Sequence, residues 1–332
     1  MFRFAGVLVL LALPPAAPID SIAPPPADTL TRVAGVADSA GVTTAPRLIA
    51  RAVLAEGGSG RGAVLDPTGV AVDPFGRVFV TDAALHRVLC FEADGRPAEA
   101  LGSLGTDPSS LQRPSGVALL GTLGIAVLDR DNRRVQVVDL FGRRLGTLID
   151  LASDDLERQI GRVDAIAIAS DRGGALALLD QEADRVLLFD FSGRLIREVG
   201  GIGSAPGSFR GLRGIAFTPR GELVTADRGN ARVQRFNAGG RVSATWPVKV
   251  GPGLGALALA VDGDGRVAMT DETSGSVWLW AADGTRLGRW EKLGHPRALA
   301  FAPDGTLLIA ESTPPRVRRY AVLETAATAK ER

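Results

Sequence analysis

Cysteine is nearly missing from this chain: Cys90 stands alone, so no intramolecular disulfide can form. It lies in the apolar run Val88-Leu89-Cys90-Phe91 and reads as a small buried residue, since a nucleophile would need a base and only His86 is close in sequence. Histidine is almost as scarce. His86 and His295 are the two present, which excludes a three-histidine zinc site. Lysine occurs only at Lys249, Lys292 and Lys330, and the formal net charge of +1 argues against a chain built mainly to hold a polyanion. Arginine, alanine and glycine abound, a usage that suggests a GC-rich bacterial coding sequence.

Long apolar runs are also lacking. The run from Ala5 to Leu13, behind the single charge of Arg3, is too short to span a bilayer and fits the apolar region of a secretory signal. The expectation is a signal peptide over 1–17, then a leader over 18–46 rich in proline and alanine, with no membrane anchor once the signal is removed. The protein is then secreted or periplasmic. No cysteine lies near that boundary to carry a lipid.

What is present is a repeat. Six acidic residues, Asp82, Asp129, Asp180, Asp227, Asp271 and Glu311, each end a short apolar run, and five residues later come Arg87, Arg134, Arg185, Arg232, Ser276 and Arg316, each followed by valine. Each unit opens on a short alternating strand: Gly69-Val70-Ala71-Val72, Gly116-Val117-Ala118-Leu119, Ala165-Ile166-Ala167-Ile168, Gly214-Ile215-Ala216-Phe217, Ala258-Leu259-Ala260-Val261 and Ala298-Leu299-Ala300-Phe301. Because successive side chains point to opposite faces, every unit has one small face and one large face, as sheets stacked around an axis require. Turns such as Asp73-Pro74-Phe75-Gly76 and Pro303-Asp304-Gly305 separate the strands. The third strands end in Phe91, Val138, Phe189, Phe236, Trp280 and Tyr320, and a more polar fourth strand follows. The predicted fold is all-β, a six-bladed β-propeller of four-stranded antiparallel blades over 47–322, with a tail at 323–332. The last unit stops after its third strand, so Leu48–Glu56 is expected to complete it and close the ring.

The pattern in Pro114-Ser115-Gly116-Val117, Asp129, Asn132 and Arg134-Val135, and in Asp227, Asn230 and Arg232-Val233, resembles the NHL repeat. The likeness implies a propeller but not one activity, since such propellers serve as protein and RNA binding modules and as scaffolds for lyases and lactonases.

Candidate ligand residues come from the connections into each first strand, which carry Arg61, Arg113, Arg158, Arg162, Arg210, Arg213 and Arg297, with His295 beside the last. With Arg130 and Arg228 from the rim loops, the set Arg113, Arg162, Arg213, Arg297, His295, Arg130 and Arg228 could form a basic funnel for carboxylate, phosphate or an acidic glycan or peptide. The alternative is that these arginines pair with the acids on the same side. The strand-ending acids and their arginines are expected to hold loops in shape as exposed pairs, each contributing about 0–1 kcal/mol. No cofactor is predicted. A channel calcium or magnesium ion held by Asp164 and neighbours stays open, whereas Asp262-Gly263-Asp264-Gly265 reads as a turn because the later carboxylates of a calcium loop are missing.

Three functions follow, in order. The first is an exported, monomeric scaffold that binds a cell-envelope protein or a small anionic ligand. A metal-dependent lyase or lactonase comes second. RNA binding ranks third, disfavoured by export, near-zero charge and few aromatic residues.

Overall fold

The computed structural model describes residues 46–121, 124–139 and 145–323. The signal segment, almost all of the leader and almost all of the tail lie outside the described residues.

Six antiparallel sheets form the blades. Strand β1 (Arg47–Glu56) precedes blade one, which comprises β2 (Pro67–Val72), β3 (Val78–Asp82) and β4 (Arg87–Phe91). Blade two holds β5 (Pro114–Leu120), β6 (Gly124–Asp129), β7 (Arg134–Asp139) and β8 (Leu145–Asp150). A short helix, α1 (Asp154–Ile160), leads into blade three, with β9 (Ala165–Ser170), β10 (Leu176–Asp180), β11 (Arg185–Phe189) and β12 (Leu195–Gly200). Blade four is β13 (Leu212–Phe217), β14 (Leu223–Asp227), β15 (Arg232–Phe236) and β16 (Val242–Pro247). Blade five is β17 (Leu259–Val261), β18 (Val267–Asp271), β19 (Ser276–Trp280) and β20 (Arg286–Trp290). Blade six is β21 (Pro296–Phe301), β22 (Leu307–Ser312) and β23 (Pro315–Leu323), against which β1 pairs antiparallel from Arg47 opposite Leu323 to Glu56 opposite Arg316.

Each interface between neighbouring blades is an apolar cluster, and the alternation in the first strands explains it. The large face of a first strand packs on the preceding blade and the small face on the following one. Val70 and Val72 join blade six, whereas Ala71 joins blade two. Ile215 and Phe217 likewise join blade three, and Ala216 joins blade five. Glycine is needed nearest the axis: a Cβ on Gly69 would lie 2.7 Å from Thr81 Oγ1 and 2.9 Å from the Gly116 Cα.

Two sequence expectations change. The fourth strand of blade one is reduced to bridges between Val88 and Leu101 and between Phe91 and Pro97, because Pro97 has no amide hydrogen to extend a ladder. In blade three the unit is shifted by two residues: Ala167, not Ala165, pairs with Leu179 as Gly69 pairs with Thr81 and Gly116 with Leu128.

A third correction concerns the acids that end the second strands. Asp82, Asp129, Asp180, Asp227, Asp271 and Glu311 are all fully buried rather than exposed. Each anchors the connection entering its own blade by accepting backbone N–H donors: Leu65 and Asp66 for Asp82, Gln112 for Asp129, Asp164 for Asp180, Arg210 for Asp227, Gly251 for Asp271 and Gly294 for Glu311. The arginine five residues on reaches its acid in blades two, three, four and six, as in Arg134 Nε to Asp129 at 2.8 Å and Arg232 Nε to Asp227 at 3.0 Å. In blades two, three and four it also donates to carbonyls of the same connection, Thr106, Asp107 and Ser110 for Arg134, Ile160 for Arg185, and Ala205 and Ser208 for Arg232. In blade one Arg87 instead donates to the Ala63 carbonyl.

Blade five has Ser276 where the arginine would stand. Arg228 of blade four fills the vacancy, donating from Nη2 to Asp271 at 3.2 Å and from Nη1 to the carbonyls of Gly251 and Gly253. Burial alone would raise the Asp271 carboxyl, but hydrogen bonds from Ser274, Gly251 and Thr273 and the Arg228 charge outweigh it and hold the group below its ordinary value. Tyr320 shows the reverse balance: burial and the adjacent Glu311 charge push its phenol up.

Candidate functional site

The channel mouth is built by a bulge that recurs at the start of the first strands. The ladder to the second strand skips one residue in five blades, and the skipped residues are Thr68, Ser115, Ile166, Arg213 and Arg297. A bulge turns a side chain out of the alternating pattern, and all five line a cavity of about 430 Å³ at the axis. A second ring comes from the residue after each strand-ending acid, of which Arg130, Gln181 and Glu272 line the same cavity. Its wall is otherwise the small and aliphatic residues of the first strands, with Leu254 at the rim.

Most of the charge there is balanced. Arg297 donates from Nε to Glu272 Oε1 at 2.9 Å and from Nη1 to Asp66, tying blades five, six and one together. Glu272 also accepts from the Ala256 amide at 2.8 Å. Arg130 reaches Asp164 at 3.3 Å, and Gln181 donates to the other oxygen of Asp164 at 2.6 Å. Arg213 differs. Its Nη1 donates to the Leu212 carbonyl at 2.8 Å, and it forms no ion pair with any described residue. The buried Ser115 hydroxyl, also in the lining, has no hydrogen-bond partner among the described residues.

The sequence-predicted residues therefore separate. Arg130, Arg213 and Arg297 meet in the channel. Arg113 and Arg162 line a neighbouring cavity of about 470 Å³ between blades two and three, which Arg130 also borders. His295 lies outside the channel lining and is exposed, with Nδ1 3.0 Å from the Glu272 carbonyl. Arg228 is buried and spent on Asp271 and two carbonyls, so it belongs to the blade four and five contact. Of the other connection arginines, Arg158 pairs with Asp155 on α1. The funnel is thus not a block of positive charge: Arg130 and Arg297 face Asp164, Asp66 and Glu272. Asp66, Gln181 and Glu272 were missed in the sequence. Their signal was positional, since Gln181 and Glu272 follow their strand-ending acids as Arg130 and Arg228 do.

Among the described residues no three His, Cys, Asp or Glu side chains converge. Asp164 is already engaged by Arg130 and Gln181. Asp262 is occupied by its own turn, accepting from the Asp264 and Arg266 amides and from Arg266 Nε.

Fold and site define the class: a six-bladed β-propeller with a small, polar channel mouth. The family model described as "NHL repeat" matches residues 209–236, which hold Asp227, Asn230 and Arg232. The chain is similar to the E3 ubiquitin-protein ligase NHLRC1 of Homo sapiens, 25% identical over 300 residues that cover 79% of this chain and 69% of that protein. It is also similar to the protein brain tumor of Drosophila melanogaster, 26% identical over 159 residues, 46% of this chain and 14% of that one. Among solved structures, the virginiamycin B lyase of Staphylococcus aureus superposes with a TM-score of 0.56 at 13% identity, covering 83% of this chain and 100% of that one. A gluconolactonase of Xanthomonas campestris superposes at 0.61 and 16% identity, covering 84% and 94%. At such identities the structural likeness establishes the shared propeller alone.

Proposed function

We propose that the protein is an exported binding propeller that receives an acidic group of its ligand in the channel mouth. The observation that carries this reading is Arg213: among the described residues it is the channel arginine without a carboxylate partner, and it faces a cavity of about 430 Å³ whose other arginines, Arg130 and Arg297, are already paired with Asp164, Asp66 and Glu272. A guanidinium with free donors in a partly enclosed site favours a carboxylate through charge-assisted, often paired hydrogen bonds. The fixed Arg297, Glu272 and Asp66 network beside it makes the site rigid and gives it no surplus of charge for a polyanion such as RNA. The apolar run Ala5–Leu13 supports placement outside the cytoplasm, where a cell-envelope partner or a small anion would be met.

The test is a thermal-shift series with acetate, malonate, succinate, citrate, phosphate and sulfate on the wild type and on Arg213→Ala. The expected result is a rise in Tm for one or more carboxylates that the variant loses. Equal rises in both proteins, or none in either, would remove the channel from consideration.

A further inference from the structure

Resting on the channel reading, we propose that the ligand is an extended acidic peptide of a partner protein, held at two points: one carboxylate at Arg213 in the channel and a second at Arg162 in the cavity between blades two and three. Three observations converge on this. The two cavities are neighbours, because Arg130 lines both. Each contains one arginine that forms no ion pair with a described residue: Arg213 in the first, Arg162 in the second. The remaining arginines of the second cavity are engaged, Arg133 with Glu157 at 2.6 Å, Arg130 with Asp164, and Arg113 loosely with Asp131 at 3.9 Å.

The lining of that second cavity mixes the buried apolar residues Leu128, Leu151, Val163 and Ala165 with the carboxylates of Asp131 and Asp164, which pair with Arg113 and Arg130, and with Glu182. A guanidinium beside apolar side chains suits an acidic residue whose methylene stem packs while its carboxylate is bound. Leu104, Ile202 and Leu254, on connections that enter first strands and so on this same face, are 65%, 74% and 80% exposed. Apolar residues scattered around discrete cation sites complement a segment that mixes acidic and aliphatic side chains. They offer no stacking surface for bases, and the balanced mouth gives no broad positive field, so a peptide matches where a single-stranded RNA does not. Occupying both points at once raises affinity by making the second contact intramolecular.

The experiment uses fluorescein-labelled peptides of alanine and leucine that carry one glutamate, or two at graded spacings, read by fluorescence anisotropy against the full chain. One spacing of the two-glutamate series is expected to bind more tightly than any one-glutamate peptide. Arg162→Ala should weaken that peptide by roughly tenfold, to the one-glutamate level, and should leave the one-glutamate peptides unchanged. Arg213→Ala should weaken both. Should Arg162→Ala misfold, Arg162→Gln serves in its place, with an unchanged melting temperature as the control. If Arg213→Ala weakens binding and the Arg162 variant does not, two-point recognition is wrong while the channel reading stands. If neither matters, or if a uridine oligonucleotide binds more tightly than every peptide, both fall.

Discussion

Replacing Arg228 by alanine tests whether blade four supplies the counter-charge that blade five lacks. In the wild type the guanidinium is 7% exposed and Asp271 fully buried, and three of its hydrogen bonds cross to blade five, one to Asp271 and two to the carbonyls of Gly251 and Gly253. Removing one partner of a buried pair costs about 3–5 kcal/mol, mostly from the charge left behind. Asp271 keeps the Gly251 amide and the Thr273 and Ser274 hydroxyls, which moderates that penalty and places Arg228→Ala near the low end, about 3 kcal/mol. For a domain of this size that corresponds to a drop of roughly 6–12 °C in Tm. Asp271→Asn removes the charge that needs compensation, so the cost of Arg228→Ala in that background should shrink, and a double-mutant cycle by urea denaturation measures the difference. The pH dependence supplies an independent check. A carboxyl held below its ordinary value stabilises the fold above the unfolded value and loses that contribution as the solution is acidified through the folded one. Without Arg228 the Asp271 carboxyl rises, so acid destabilisation should begin at a higher pH than in the wild type. A variant that melts with the wild type and shows no coupling to Asp271 would refute the reasoning.

Two further predictions concern backbone geometry. Gly69→Ala places a Cβ 2.9 Å from the Gly116 Cα and 3.0 Å from the Val117 nitrogen, atoms that cannot swing aside, and should cost about 2 kcal/mol by urea denaturation; a loss below about 0.5 kcal/mol would mean that the axis has slack. Ala231 sits at φ 50°, a region that costs an L-residue about 1 kcal/mol or more, so Ala231→Gly should raise stability by a few tenths of a kcal/mol even after the added unfolded-state freedom. A lower Tm for Ala231→Gly would contradict that.

The blades were legible because two independent signals coincide, alternation in the first strand and the acid ending the second. Blade three shows how they divide the work. Alternation continues from Ala165 to Ser170, so a shift of two residues preserves the small and large faces, and only the distance back from Asp180 selects Ala167. The mouth was less legible. Arg213 and Arg297 drew attention as cations on a connection, but the bulge that turns them inward leaves no mark in the alternation. Glu272 looked like an ordinary loop residue until Arg297, from the next blade, was found against it. Burial of the strand-ending acids was hidden for the same reason: an aspartate beside an arginine reads as a surface pair unless the amides that converge on it are known. The fate of Arg228 could have been suspected from Ser276, since a missing cation at a buried acid has to be supplied from elsewhere.

The pairing of β1 with β23 sets the order in which this molecule can be finished. A chain made from its N-terminus exposes Arg47–Glu56 first and Pro315–Leu323 last, and their register spans nearly the whole propeller. Blades two to five can each complete their hydrogen bonding locally as they emerge, whereas β1 must wait through the synthesis of all the others. During that interval it is an open edge ten residues long. Two register shifts, between Ala50 and Ala52 and between Val53 and Ala55, break its regularity and make it a poor template for another chain. The irregular strand that closes the ring is thus also suited to waiting for its partner without recruiting the wrong one.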